Sequence, residues 1–531
     1  MLTWILTLLA ILLTVLVLHR KNRYNLFKRM GINGPAPAFL IGNFYDMYKY
    51  GLLKCWEKWR NEYGGMYGYY EGPQPILVIT DPEMIKQVFV KDLFSNFSGR
   101  RIFPMGRGPK HNPDIIQSEG QDWKRIRALS SPFFSGVRMK EMSPLINNSV
   151  GKLLNVLEEK ANAGTTFDIY SVYQGLTMEV ICACAFGTDL DAQVDTKHPV
   201  LLKARELFLR VSQRNALQIA AFLLPELRPL WFRLGRKLGE IFNNPFIYLR
   251  EHIRHIIQMR RSQKLDRVDF INLMLSATEH ANDASFTMTS DDSDTADQST
   301  GTSSGDKETS SSLRKKGMTN EEMEANLMIF LLAGYETTST ALAYTSYRLA
   351  LNPDVQQKLQ VEIDEYFPDD DDMCPTYNSV QKLPYLDMVF SEVLRLHSIA
   401  PPIIARRCTK ACTVKGVDIP EGVMVMADSV GLHMDKKYWG PEDPAIFSPD
   451  RFLPENKAKR DPIAWMPFGH GPRNCVGMRF ALMEAKFALT RLLKKYTIHK
   501  TDELQIPLQI REGGTFVPKD GVMVSVSKRN E

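Results

Sequence analysis

The chain has 531 residues, of which 44% are hydrophobic and 24% are charged. That length is enough to bury a large core in one big domain or in two. The net charge of +5 is too small for the strongly basic balance of a nucleic-acid-binding protein. Seven cysteines, an odd and scattered set, favour a reducing compartment over a disulfide framework.

Residues 1–18 are predicted to be a transmembrane anchor. Leu2 to Leu18 carries no charge and would rise about 25 Å as a helix, near the short end for a bilayer span. Residues 19–38 form a basic, proline-containing neck, and basic residues after a span place the following chain on the cytoplasmic side. A cleaved signal peptide is the weaker alternative, because no basic region precedes the apolar run and no small-residue cleavage site follows it.

The body at 39–531 is predicted to be mainly α with small β-sheets. A hairpin is expected from Met66 to Tyr70 and Ile76 to Thr80, and most of the chain from Pro82 to Leu351 has a helical pattern. Residues 281–316 are rich in Ser, Thr and Asp, which indicates a disordered surface insert. A phosphorylated regulatory insert is the alternative.

A long helix is predicted to begin at the capping box Thr319–Glu322 and to end near Leu351. Its apolar middle contains Gly334, Glu336 and Thr337. Gly permits a close approach, and a threonine hydroxyl can bond a preceding carbonyl and bend the helix. The combination suits O₂ activation, which needs room for a diatomic ligand and a proton relay. A packing site between crossing helices would explain Gly334 alone.

Glu392 and Arg395 are three residues apart and therefore share one helical face. An isolated pair of this kind is usually a solvated surface ion pair. The neighbouring residues are apolar, so this pair is predicted to be buried and to need a further partner.

Cys475 lies in a glycine-rich loop just before a helical pattern. Loop amides and a helix N-terminus lower the pKa of a thiol and favour its anion, and a lone axial thiolate is a known ligand of haem iron. Arg473 offers a planar cation for a carboxylate, and Phe468 could keep the sulfur dry. A lone cysteine is more often a small buried hydrophobe, but the glycines, the arginine and the helix start favour the ligand.

These motifs resemble those of the cytochromes P450. Phe468, Gly471, Arg473, Cys475 and Gly477 match every fixed position of the family's haem-binding loop. The resemblance extends in motif order from about Gly34 to the C-terminus, and it is nearest to the animal microsomal branch with the family-3 drug and steroid hydroxylases and thromboxane synthase. The other matching motifs are Ala333-Gly-Tyr-Glu-Thr-Thr338, Glu392 with Arg395, Pro449-Asp-Arg451-Phe452, and Trp123 with Arg127.

The resemblance implies the cytochrome P450 fold with one N-terminal transmembrane helix, and haem b bound through Cys475 as the axial ligand of the iron. Thr337 and Glu336 would deliver protons. Glu392, Arg395 and Arg451 would be scaffold. Haem contacts are implied for Cys475, Arg473, Trp123, Arg127, Arg406, Phe468, Gly334 and, with least support, Arg100.

The implied activity is an NADPH- and O₂-dependent monooxygenase, typically a hydroxylase, at the endoplasmic reticulum membrane. Electrons would come from NADPH–cytochrome P450 reductase, with cytochrome b5 as a second candidate partner, and no nucleic acid is involved. The sequence does not separate a steroid, a fatty acid and a xenobiotic as the lipophilic substrate. Basic residues proposed for reductase docking are Lys124, Arg125, Lys140, Arg479 and Lys486.

Three alternatives remain open at this point. A P450-fold isomerase or dehydratase would rearrange a lipid peroxide without reductase, but such members often lack the helix threonine that Thr337 supplies. A non-enzymatic haem sensor would have no use for the acid and the alcohol. A membrane-anchored scaffold would bind no haem.

Overall fold

The computed structural model describes residues 2–101, 114–212, 216–241, 244–263, 269–279, 317–368 and 374–529. Within this part the chain is mainly helical with small sheets, as predicted. The predicted disordered insert at 281–316 lies outside the described residues.

The secondary structure alternates long helices with short strands. The helices are α1 Leu2–Tyr24, α2 Leu26–Arg29, α3 Phe44–Tyr50, α4 Leu52–Tyr63, α5 Pro82–Lys86, α6 Gly120–Ser130, α7 Gly136–Ala163, α8 Ile169–Ile181, α9 Pro199–Ser212, α10 Ala216–Leu223, α11 Arg228–Ile241, α12 Pro245–Gln263, α13 Phe270–Glu279, α14 Asn320–Leu351, α15 Pro353–Tyr366, α16 Tyr377–Val380, α17 Pro384–Leu396, α18 Ser429–His433, α19 Lys436–Trp439, α20 Pro454–Lys459 and α21 Met478–Lys495. The strands are β1 Met66–Glu71, β2 Gln74–Ile79, β3 Phe167–Asp168, β4 Ala405–Arg407, β5 Cys412–Val414, β6 Val417–Ile419, β7 Met424–Ala427, β8 Tyr496–Lys500, β9 Ile510–Glu512, β10 Phe516–Pro518 and β11 Met523–Lys528.

The largest sheet in the described chain has the order β1-β2-β7-β4. Strands β1 and β2 form the predicted antiparallel hairpin, with Met66 opposite Ile79. Strand β2 runs parallel to β7, and β7 pairs antiparallel with β4 so that Arg406 lies opposite Val425. The sheet therefore holds Arg406 in a buried strand. The smaller sheets pair β3-β11-β8, β9 with β10, and β5 with β6.

Helix α14 runs through the centre of the helical part. It begins at the predicted capping box, in which the Thr319 hydroxyl and the Glu322 carboxylate each accept a backbone N–H. Most of its residues are buried because it contacts α8, α12, α17 and α21. A helix that is apolar on all sides is stable only when other elements bury it. The site is arranged around this buried helix.

The N-terminal helix extends beyond the predicted anchor. It runs to Tyr24, six residues past position 18, and Trp4, Ile11 and Val15 are each more than half exposed. By length and composition, one stretch of the described chain qualifies as a membrane span, Ile169–Phe186, and 83% of it is buried in the protein. That stretch is core, so the anchor at 1–18 stays a prediction.

Candidate active site

The loop before α21 is a tight turn closed by a backbone hydrogen bond. The Cys475 N–H donates to the Phe468 carbonyl at 2.9 Å. Gly471 has φ +76°, and a Cβ there would clash with the carbonyl oxygen of Phe89, so this position requires glycine. Gly477 has an ordinary φ of −87°, and an added Cβ would be in van der Waals contact with one ring atom. Gly471 therefore requires glycine, whereas the described protein around Gly477 leaves room for a Cβ.

The Cys475 thiol faces an internal space. The residue is exposed, yet burial raises the pKa of its thiol. Both statements hold because the surrounding protein shields the sulfur from bulk water. The prediction of a lowered thiol pKa is wrong for the metal-free protein, since loss of hydration outweighs the opposing Gly477 N–H and Arg127. A coordinating metal deprotonates a thiol outright.

Two arginines beside the Cys475 loop are short of hydrogen-bond partners. Arg473 donates one bond to the Ser118 carbonyl at 2.8 Å and lies 4.5 Å from the Trp123 ring centroid, but its buried Nε and Nη1 atoms have no partner among the described residues. Within the same part of the chain, Arg406 bonds only to the Ala405 carbonyl, at 2.9 Å, and its buried Nε has no partner. Buried N–H groups are nearly always satisfied, so these atoms mark the place of a missing acceptor.

Two further arginines belong to the same cluster. Arg127 donates to the backbone carbonyl and to the side-chain oxygen of Asn474, at 2.9 and 3.0 Å. Arg100 donates to the carbonyls of Ile116 and Ala405, at 2.9 and 3.2 Å. The structure thus brings together the four arginines that the sequence proposed as haem contacts, and Trp123 with them.

Burial and neighbouring positive charges together lower the pKa values of these arginines. Burial lowers the pKa of Arg473 to about 9, and nearby Arg100 adds to that effect. Burial lowers the pKa of Arg100 to about 10. The pKa of Arg406 is lowered well below its usual value by burial, then by Arg100 and Arg473.

A doubly anionic ligand fits this cluster. Carboxylates form bidentate, charge-assisted bonds with guanidinium groups, and haem carries two propionates beside an iron that accepts one axial thiolate. The unpaired nitrogens of Arg406 and Arg473 and the shielded thiol of Cys475 therefore match the donor set of a haem.

Several residues in the middle of α14 are not fully covered by the surrounding protein. Ala333 is exposed and Thr337 is partly exposed, although most of the helix is buried. The Thr337 hydroxyl donates to the Ala333 carbonyl at 2.7 Å, the bond to a preceding carbonyl that the sequence suggested. A Cβ at Gly334 would lie 3.0 Å from a side-chain carbon of Ile181. Gly334 thus packs α14 against the α8 region, and its contact with haem stays a prediction.

Glu336 is directed towards α8. Its carboxylate is buried and accepts hydrogen bonds from the Tyr170 hydroxyl at 2.9 Å and from the Gln174 amide at 3.3 Å. Burial raises its pKa against these two bonds. Gln174 in turn accepts from Arg205 of α9, so the acid belongs to a polar network between three helices. Spacing along the sequence could not reveal these partners, and a role of Glu336 in proton delivery stays a prediction.

Glu392, Arg395 and Arg451 lie together beneath the loop region, as predicted from the resemblance. Arg395 is fully buried and binds both Glu392 oxygens, at 2.6 and 2.7 Å. It also donates to the carbonyls of His433 and Pro444. Arg451 lies 3.6 Å from Glu392 and donates to the Trp439 carbonyl. This network joins α17 to the segments that lead into the Cys475 loop.

The prediction of a reductase-docking role is wrong for two of the five residues proposed for it. Arg125 is buried and paired with Glu322 at the start of α14, and Lys486 is buried against Asp387 at 2.6 Å. Neither offers a free surface charge. One pair that the sequence did not suggest is Thr338 with the buried Glu484, where α14 meets α21.

A surface cavity of about 920 Å³ between α7 and α21 is separate from this site. None of the residues predicted to contact haem lines it, and its walls include Asn147, Tyr377 and Arg491. The chemistry therefore points to the space at Cys475 and not to this cavity.

Known proteins resemble this chain over nearly its whole length. A family model described as Cytochrome P450 matches residues 32–526. The chain is 36% identical over 534 residues to Cytochrome P450 3A11 of Mus musculus, covering 99% of this chain and 97% of that protein. It is 36% identical over 530 residues to Cytochrome P450 3A5 of Homo sapiens, with the same coverage.

Proposed function

Because this chain belongs to the cytochrome P450 family and is a haem monooxygenase, we propose that it hydroxylates a lipophilic small molecule with electrons supplied by NADPH–cytochrome P450 reductase. The observation that carries the proposal is the shielded Cys475 thiol beside buried arginines whose nitrogens lack partners. Haem supplies the iron at which O₂ binds and one oxygen atom is transferred to the substrate.

Within this proposal, the chain's own residues hold and orient the cofactor. Cys475 ligates the iron, and Arg406, Arg473, Arg127 and Arg100 neutralise the propionates. Their low-dielectric surroundings strengthen each of these charged contacts. The Glu392 network holds the segments around the loop in place.

Thr337 is the proposed proton carrier. Its hydroxyl oxygen keeps acceptor capacity while its proton is directed to the Ala333 carbonyl at 2.7 Å. Donation to a substrate-side group therefore requires the hydroxyl to rotate away from that carbonyl. Glu336 could supply protons only through its Tyr170 and Gln174 partners or after its side chain turns.

The substrate is proposed to be lipophilic because apolar side chains lie beside the centre of α14. The Phe208 ring of α9 lies 6.0 Å from that of Tyr335, and Ile181 of α8 packs against Gly334. We further propose that α1, with exposed apolar side chains and basic residues in its last turn, anchors the protein in the endoplasmic reticulum membrane with the body in the cytoplasm. Alkaline extraction and protease protection of membranes would test that topology.

The first experiment is a reduced, CO-bound absorption spectrum of the purified full chain. A Soret band of the thiolate-ligated type is expected, and its absence from folded, haem-supplemented protein would overturn the proposed site. Turnover of lipophilic compounds is then measured with NADPH, with and without reductase. Product formed from a lipid peroxide without NADPH or reductase would instead support the isomerase reading.

A further inference from the structure

Two cysteines outside the haem site lie next to each other at the end of strand β4. Cys408 follows β4 directly, and Cys412 begins β5 four residues later. The Cys408 sulfhydryl donates towards the carbonyls of Lys410 and Ile419, at 3.1 and 3.6 Å. Ile419 is the antiparallel partner of Cys412 in the β5–β6 ladder. The Cys408 sulfur thus reaches the residue that lies directly opposite Cys412.

The two thiols also lie close enough for each to influence the pKa of the other. The backbone of Cys408 is held by bonds from its N–H to Val423 and from Gly422 to its carbonyl, both at 2.8 Å. Since the Cys408 sulfur lies 3.6 Å from the carbonyl oxygen of Ile419, the residue opposite Cys412, small side-chain rotations would bring both sulfurs to the geometry that a disulfide requires.

We propose that Cys408 and Cys412 form a redox-active pair that closes to an intramolecular disulfide when the protein meets hydrogen peroxide. Cys412 is partly exposed, whereas Cys408 is fully buried, so Cys412 is the thiol that peroxide reaches first. This pair is distinct from Cys182 and Cys184, which are both buried inside the helical core.

The reaction proceeds in two balanced steps. The Cys412 sulfur attacks one peroxide oxygen and the O–O bond breaks, which leaves a sulfenic acid on Cys412 and releases one water. The Cys408 sulfur then attacks the Cys412 sulfur, the S–O bond breaks and a second water leaves. Two thiols lose two hydrogens in total, and one peroxide is reduced to two waters.

The surroundings of the two thiols make the pair slow to react. Burial raises the pKa of Cys408 to about 12, helped by Cys412, and burial likewise raises the pKa of Cys412. Because the thiolate is the reactive form, we expect oxidation of this pair to be slower than oxidation of an exposed thiol such as Cys374. The proximity of the two side chains favours the disulfide as the product.

Tryptic peptide mapping tests the proposal directly, because Arg407, Lys410 and Lys415 separate the cysteines into two peptides. The full-length protein is treated with hydrogen peroxide, quenched with catalase and an alkylating agent, digested and analysed by mass spectrometry. Peptides 408–410 and 411–415 are expected as one species that lacks two hydrogens and that a reductant splits. The result does not depend on haem or turnover, so it can fail independently of the proposed function.

Matched variants control for nonspecific oxidation. Cys374→Ser should keep the linked species, and Cys412→Ser should lose it. Recovery of both peptides as separate, unoxidised alkylated species while Cys374 is fully oxidised would overturn the proposal. Conversion of Cys412 to the sulfinic acid without any linked species would do the same. If Cys412→Ser fails to fold, the peptide map of the wild-type protein alone shows whether the disulfide forms.

Discussion

Replacing Arg406 by Met should have opposite effects on the haem-free and haem-bound protein. Arg406 is 2% exposed and, in the part of the chain that the structure describes, bonds only to a neighbouring carbonyl. Arg100 and Arg473 lie nearby and lower its pKa further. Without an anion, its buried charge opposes folding. Met is similar in length and carries no charge, so Arg406→Met should raise the unfolding temperature of the haem-free chain.

Haem retention should fall in the same variant. A hydrogen bond to a charged group contributes about 1.5–3 kcal/mol, which corresponds to about a 10- to 150-fold change in affinity. Transfer of haem from the holoprotein to excess apomyoglobin, followed in the Soret region, measures this loss as a faster release. The matched control is Arg60→Met, since Arg60 pairs with Asp428 at 2.6 Å in another part of the structure.

Two results would refute this reasoning. If haem release from Arg406→Met equals that of the wild type, the guanidinium does not bind a propionate. If the haem-free variant unfolds at a lower temperature than the wild type, the unpaired charge is not a net cost. The Arg60→Met control should lower stability and leave haem release unchanged.

Three further predictions concern the loop, its scaffold and a buried acid. Cys475→Ser should keep its far-UV circular dichroism and lose the thiolate-type CO spectrum; an unchanged spectrum would exclude Cys475 as the ligand. Arg395→Met should lower the unfolding free energy by about 3–5 kcal/mol, because it leaves Glu392 buried without its bidentate partner; thermal unfolding measures this, and recovery in the double variant with Glu392→Leu would attribute the loss to the pair. Burial raises the pKa of Glu484 well above its usual value, so wild-type stability should fall as pH rises above the carboxyl's unfolded-state value of about 4.5. Glu484→Gln should therefore unfold at a higher temperature than the wild type at neutral pH and gain little near pH 5, and an equal gain at both would contradict the assignment.

The local motifs of this protein could be predicted from sequence because each depends on neighbours a few residues apart. The capping box at Thr319 follows from helix-end chemistry, and the hairpin of β1 and β2 follows from strand pattern and turn residues. The glycine at Gly471 is required by a left-handed turn. The order of these motifs was also sufficient to indicate the family.

The tertiary structure decided which way each functional side chain points and what surrounds it. Glu336 lies on the same helix as Thr337, yet its carboxylate faces Tyr170 on α8. Arg125 is buried because the start of α14 packs against α6. The pKa of Cys475 rises because the surrounding protein shields its thiol from bulk water. Sequence alone determined the chemical groups and their local backbone, whereas burial, pairing and pKa depend on contacts between residues far apart in the chain, which no local spacing encodes.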